Sequence, residues 1–159
     1  MSAARRKPPT ALRVGVSSEG VRAPVSAARM ADAVRHVLRA EKVDDAMLSV
    51  TRLSPAAMAR LNRRHLGHAG ATDVIAFGFA PTPGGAVVGD IYLCPAVARD
   101  NAHMAGCGVR EELLRLVVHG TLHVLGWDHP VDGARTSSPM WKRQERLLAA
   151  VMRRGAPKA

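Results

Sequence analysis

His119-Gly-Thr-Leu-His-Val-Leu-Gly-Trp-Asp-His129 carries three histidines spaced four and then six residues apart, with Gly126 between the second and the third. On a helix, positions i and i+4 stand one above the other on the same face, so His119 and His123 can share one ion. Gly126 offers the left-handed conformation that closes a helix, which lets the chain double back and bring His129 to the same ion. Three protein ligands with a fourth position left for water is the arrangement of a catalytic zinc; structural zinc is usually closed by four ligands, mostly cysteines. A histidine pair alone reads more readily as a polar helix face. The glycine turn and the third histidine tip the reading to a metal site, with one Zn2+ per chain as the expected cofactor.

Three neutral imidazoles leave such an ion its full double positive charge, so the site attracts anions. Zinc lowers the pKa of a bound water to about 7 in favourable sites and polarises carbonyl or phosphoryl oxygens, which makes hydrolysis the expected reaction class. The spacing is that of the metzincin proteases, H-E-x-x-H-x-x-G-x-x-H, except that Gly120 stands where they carry glutamate. A peptidase of that type lacks its general base here. Glycine inside a helix costs ~1 kcal/mol relative to alanine, and its presence suggests space kept beside the metal for a bulky substrate group. Two roles are open to Asp128, support of a ligand imidazole or general base. Glu111 and Glu112 read as first-turn carboxylates favoured by the helix dipole.

Outward from the motif, 159 residues suit one domain that buries about two thirds of its unfolded surface. With 47% hydrophobic but only 3% aromatic residues, its core must be built from Val, Leu, Ala and Met. The 23 Lys and Arg against 13 acids give a net charge of +10 and favour polyanions such as nucleic acid, although base composition can also enrich a chain in arginine. No window approaches a membrane span of about eighteen apolar residues, and the basic start is followed by no apolar segment of a secretory signal. A cytoplasmic protein without membrane contact is expected. Cys94 and Cys107 make no disulfide framework.

Residues 1–10 read as a disordered basic arm and residues 11–155 as a single domain. Alternation marks strands at Leu12–Ser17, Met47–Leu53, Thr72–Phe79 and Val87–Cys94. Helical spacing and caps mark helices over Val25–Lys42, Pro55–Leu66 with Ser54 as its N-cap, Pro95–Ala105, Val109–Leu125 and Pro139–Arg154. Turn chemistry at Pro81–Ala86 pairs the third and fourth strands as antiparallel neighbours, and residues 130–138 read as loop.

The motif, together with Leu61-Asn62, Thr72-Asp-Val-Ile-Ala-Phe77, Gly89-Asp-Ile-Tyr-Leu93, Met140 and Glu145, resembles the YbeY-type endoribonucleases, which mature ribosomal RNA in bacteria. The blocks span about residues 45 to 150 in order. The resemblance implies an α+β fold with a small mixed four-stranded sheet flanked by about five helices, with the zinc on a helix and the following turn in metzincin-like fashion. It further implies a zinc-dependent endoribonuclease specific for single strands, acting in 3′-end maturation of small-subunit ribosomal RNA and in ribosome quality control, with the small subunit and its assembly factors as partners. The readings that compete are an assembly protein with a mainly structural zinc and a peptidase-like metal hydrolase. Six positions before Thr72 the family often carries a phosphate-binding arginine, and here that residue is Leu66. Arg63 or Arg64 is the candidate replacement, against a reading as solvated helix arginines. Trp127 replaces the motif's more usual tyrosine. Met140 reads either as a Met-turn or as core packing with Leu147, Leu148 and Val151. His65, His68 and His103 can approach the site or lie on the surface, and the family blocks bring Asp73 and Asp90 to the border of the cleft.

Overall fold

The computed structural model describes residues 9–79, 85–131 and 134–155. Residues 1–8 of the expected arm and 80–84, in the expected turn region, lie outside them. Nine elements follow in the expected order: β1 Leu12–Ser18, α1 Ala27–Ala40, β2 Ala46–Arg52, α2 Pro55–Leu66, β3 Val74–Phe79, β4 Val87–Leu93, α3 Pro95–Ala105, α4 Val109–Val124 and α5 Pro139–Arg154. A turn of 3-10 helix, Arg135–Ser137, occupies part of the expected loop, where the Ser137 and Ser138 hydroxyls donate to the Ala134 and Arg135 carbonyls. The helix ends have local causes. Ser54 and Ser138 accept the N–H groups of Ala57 and Trp141, with a proline opening each helix. Gly67 and Gly106 close α2 and α3 at φ of 66° and 70°.

The strands form one sheet in the order β1-β2-β4-β3, with β1, β2 and β4 parallel and β3 antiparallel to β4. The fold is therefore α+β with a mixed sheet. Val34, Val37 and Leu38 of α1, Leu113, Val117 and Leu122 of α4, and Leu147 and Val151 of α5 join Leu48, Val50 and Ile91 of the sheet in the larger core. Side chains alternate across a strand, so Ile75, Phe77 and Tyr92 belong to the opposite face, where they gather with Leu53, Met58 and Cys94 beneath α2.

Glycines set how closely α4 approaches the sheet. A Cβ at Gly120 would lie 2.8 Å from Cγ2 of Ile91 on β4. The cross-strand pair Gly78 and Gly89 leaves the notch that receives Val124, whose carbonyl oxygen would be 2.9 Å from a Cβ at Gly78. This corrects the expectation that Gly120 keeps space beside the metal: its vacant side faces strand β4. Gly120→Ala should gain ~1 kcal/mol of helix propensity and lose more to overpacking, which costs roughly 1–3 kcal/mol. A lower urea midpoint is the expected result, with Gly120→Ala and Ile91→Ala together losing less than the sum of the two alone; a higher midpoint in Gly120→Ala contradicts the contact.

Candidate metal centre

α4 delivers the first two histidines and its exit delivers the third. Leu125 caps the helix, Gly126 turns at φ 94°, and two backbone bonds close the end, from Gly126 N–H to His123 O and from Trp127 N–H to Leu122 O, both 3.0 Å. That pair is the Schellman arrangement, and it folds the chain back so that His129 meets the other two rings. Ring centroids stand 4.5 Å apart for His119 and His123, 4.9 Å for His123 and His129, and 5.2 Å for His119 and His129. One ring nitrogen from each lies within 4.8 Å of the other two.

The outer ring nitrogens are engaged in a way that suits metal binding. His119 Nδ1 lies 2.6 Å from Gln144 Oε1. The Gln144 amide donates from Nε2 to Glu145 Oε2 at 3.1 Å, so its oxygen is left to accept the imidazole proton and Nε2 of His119 is freed as a lone-pair donor. His129 Nδ1 lies 3.0 Å from the Pro130 carbonyl, which has the same effect. Behind Gln144, Glu145 is bound by Arg115 through Nε at 3.0 Å and Nη2 at 3.1 Å, and Arg115 Nη1 donates to Glu112 at 2.7 Å. Two nitrogen donors with fixed tautomers and a third imidazole in reach fit a borderline-soft divalent ion.

In the metal-free protein, burial pushes His119 down to about 4, helped by the positive charge of His123, Arg135 and His129 and opposed by the Gln144 hydrogen bond. Burial also lowers His123, followed by the His129 charge. Both rings are therefore neutral at pH 7. Because the folded value lies below 6.5, the unfolded chain takes up the proton first, and stability present above pH 6.5 is lost as pH falls toward 4. His119 alone should account for about 3 kcal/mol of that loss. Urea unfolding of the metal-free protein between pH 7.5 and 4.5 should show it, and His119→Gln should flatten the profile; parallel profiles would contradict the assignment.

Other expected residues are placed differently. Asp128 is exposed and its Oδ1 accepts the His129 backbone N–H at 2.8 Å. Met140 is 1% exposed in the core with Leu147, Leu148 and Val151, which is the packing alternative. Glu112 does more than favour the helix dipole, since it is buried and paired with Arg115. Asp73 joins the start of β3 to α3, accepting from Val74 N–H at 2.8 Å and from Asn101 Nδ2 at 3.1 Å. Asp90 accepts from the Ser49 hydroxyl at 2.6 Å and is on the sheet face turned away from α4, because Gly89 and Ile91 meet that helix. His65 packs edge-on against Phe77 at 5.4 Å, and neither it, His68 nor His103 joins the cluster. Arg63 and Arg64 are exposed on α2 and line a groove of about 740 Å³ with Arg60, His65 and Tyr92, while Leu66 is 47% exposed.

An α+β domain with three imidazoles converging from one helix and its exit turn defines the class of candidate metal-dependent hydrolases. Residues 17–152 match the family described as Endoribonuclease YbeY. An Endoribonuclease YbeY of Frankia casuarinae is 38% identical over 151 residues, covering 87% of this chain and 74% of the relative. Its counterpart from Mycolicibacterium paratuberculosis is 39% identical over 135 residues, covering 78% and 75%. A Thermotoga maritima protein solved in solution shares the fold at a TM-score of 0.59 and 24% identity, over 89% of this chain and 90% of that one. The chain belongs to the YbeY endoribonuclease family.

Proposed function

We propose that the chain is a zinc-dependent endoribonuclease specific for single strands, which matures the 3′ end of small-subunit ribosomal RNA and serves ribosome quality control in the cytoplasm. Its partners are the small ribosomal subunit and its assembly factors, and residues 11–155 act as one domain. The observation that carries the metal reading is the meeting of three imidazoles within 4.8 Å, one with its Nδ1 held by a buried glutamine. His119, His123 and His129 hold one Zn2+. When bound, the ion supplies Lewis acidity and acidifies water.

The remaining work falls to the chain itself. Gln144 and the Pro130 carbonyl orient two of the ligand rings. Asp128 braces the exit turn through the His129 N–H and is the nearest carboxylate in sequence for proton transfer. The Arg135 charge, close enough to depress His119, meets a phosphate at the cluster, and Arg63 and Arg64 hold the strand further along by phosphate contacts. The nucleophile is water or the RNA 2′-hydroxyl; a product ending in 2′,3′-cyclic phosphate would exclude direct attack by water.

Purified protein on single-stranded and duplex ribosomal RNA fragments and on casein, with chelator and with zinc restored, tests the reading. Cleavage of the single-stranded RNA alone, lost to chelator and regained with zinc, is expected. Cleavage unaffected by chelator removes the zinc mechanism, casein cleavage restores the peptidase, and zinc-dependent RNA binding without cleavage favours an assembly protein.

A further inference from the structure

Beside His119 opens a cavity of about 320 Å³ walled by Asn101, Glu112, Arg115, Arg135 and Trp141. Its size falls at the lower end of the ≈ 300–1,000 Å³ of small-molecule sites. The Trp141 indole is half-buried, yet it belongs to neither apolar cluster and has no ring or hydrogen-bond partner among the described residues. It forms a flat apolar wall. Two acceptor oxygens belong to residues of the same lining. Asn101 spends its amide NH2 on Asp73 and leaves its carbonyl oxygen unpaired, and Glu112 spends Oε2 on Arg115 and leaves Oε1 unpaired. Arg135, exposed and without an acidic partner among the described residues, adds a free cation on the side of the histidine cluster.

An aromatic wall, two free acceptors and a cation in one cavity that His119 also lines together complement one nucleotide. Unstacked bases of single-stranded RNA are recognised by stacking on aromatic side chains and by hydrogen bonds to their edges. We propose that this cavity is a nucleobase subsite, which takes one splayed base next to the bond to be cut and prefers bases with an exocyclic amino group to uracil. Adenine, cytosine and guanine each present an NH2 donor to the two acceptors. Uracil offers them one N3–H donor flanked by two carbonyl oxygens, which leaves at least one acceptor unpaired against a carbonyl. Trp141 supplies the stacking face, Asn101 and Glu112 read the edge, and Arg135 receives the phosphate. The subsite deepens the endoribonuclease reading and rests on it.

Cleavage of a random-sequence single-stranded RNA library by the zinc-loaded protein, with the ends mapped, should show uridine depleted at one fixed position relative to the cut. Trp141→Ala should erase that depletion and raise KM roughly tenfold or more, the scale of one lost base stack, with a smaller change in kcat. Trp141→Phe should restore both, and Asn101→Ala should weaken the base preference alone. Calorimetric titration with the four nucleoside 5′-monophosphates reads the pocket without cleavage: AMP, CMP and GMP should bind more tightly than UMP, and Trp141→Ala should abolish the difference. RNA cleavage with a flat base profile and unchanged kinetics in Trp141→Ala overturns the subsite and leaves the nuclease standing. Trp141-dependent binding of the amino-bearing nucleotides by a protein that cuts no RNA keeps the base pocket and overturns the nuclease. A protein that does neither overturns both.

Discussion

His123→Ala should lower kcat/KM for RNA by at least ~10³-fold, on the order of 4 kcal/mol of transition-state stabilisation, while the fold survives. His123 is half-buried at the end of α4 and lies outside the apolar core. Its own backbone carbonyl and that of Leu122 accept the two bonds that close the helix, and alanine keeps both. The loss therefore falls on the cluster. Two imidazoles from different elements remain, and two ligands hold a divalent ion far more weakly than three. Cleavage rate, bound zinc and far-ultraviolet circular dichroism should be read on the same preparation. A variant with an unchanged spectrum that still holds stoichiometric zinc and cuts at the parental rate would remove His123 from the site.

Arg115→Met should destabilise the protein by about 3 kcal/mol, because it strips the partner from two hydrogen-bonded carboxylates, Glu112 and Glu145, at once. Breaking a buried pair costs roughly 3–5 kcal/mol, mainly through the charge left behind. The lower end applies because the Glu145 side chain is 34% exposed, whereas that of Glu112 is 11%. Methionine keeps the aliphatic bulk, so the packing loss is small. A second effect follows along the chain of bonds from Arg115 through Glu145 and Gln144 to His119. Once Glu145 is free to turn away, the Gln144 amide loses the bond that fixes its orientation, and metal affinity should fall about 10-fold or more, as it does when groups behind a metal ligand are lost. Urea unfolding and a competitive zinc titration measure the two effects separately. Glu112→Gln added to Arg115→Met should recover part of the stability and none of the affinity, because Glu112 is not on the path to His119.

What was legible in the chain was whatever local chemistry decides. α2, α3 and α5 begin at prolines, α2 and α3 end at glycines in the left-handed region, and their limits match the expectation residue for residue. The antiparallel pairing of β3 and β4 was likewise visible from the turn chemistry between them. The insertion of β4 between β2 and β3 was not, since it depends on contacts far apart in sequence. Spacing alone brought His119, His123 and His129 together on paper. It misread Gly120, because the side of α4 that meets the sheet is a tertiary fact, fixed by Ile91 and by the notch at Gly78 and Gly89. Gln144 was overlooked although a signal existed. It is the one polar member of the buried stripe Met140, Gln144, Leu147, Leu148 and Val151 on α5, and a polar group placed inside an apolar stripe is expected to have a buried partner. Arg115 gave no such signal, because an arginine three residues after a glutamate is an ordinary surface pair until burial is known.

All three imidazoles come from an eleven-residue stretch whose backbone is already closed by its own helix-exit bonds. An ion held there ties together points that are near neighbours along the chain, so it closes a loop that costs little entropy to close. It bridges no distant parts of the polypeptide. The β1-β2-β4-β3 sheet lies wholly outside that stretch. Because the stretch is already turned back on itself, an ion would find its ligands pre-arranged and would need to order no other part of the chain.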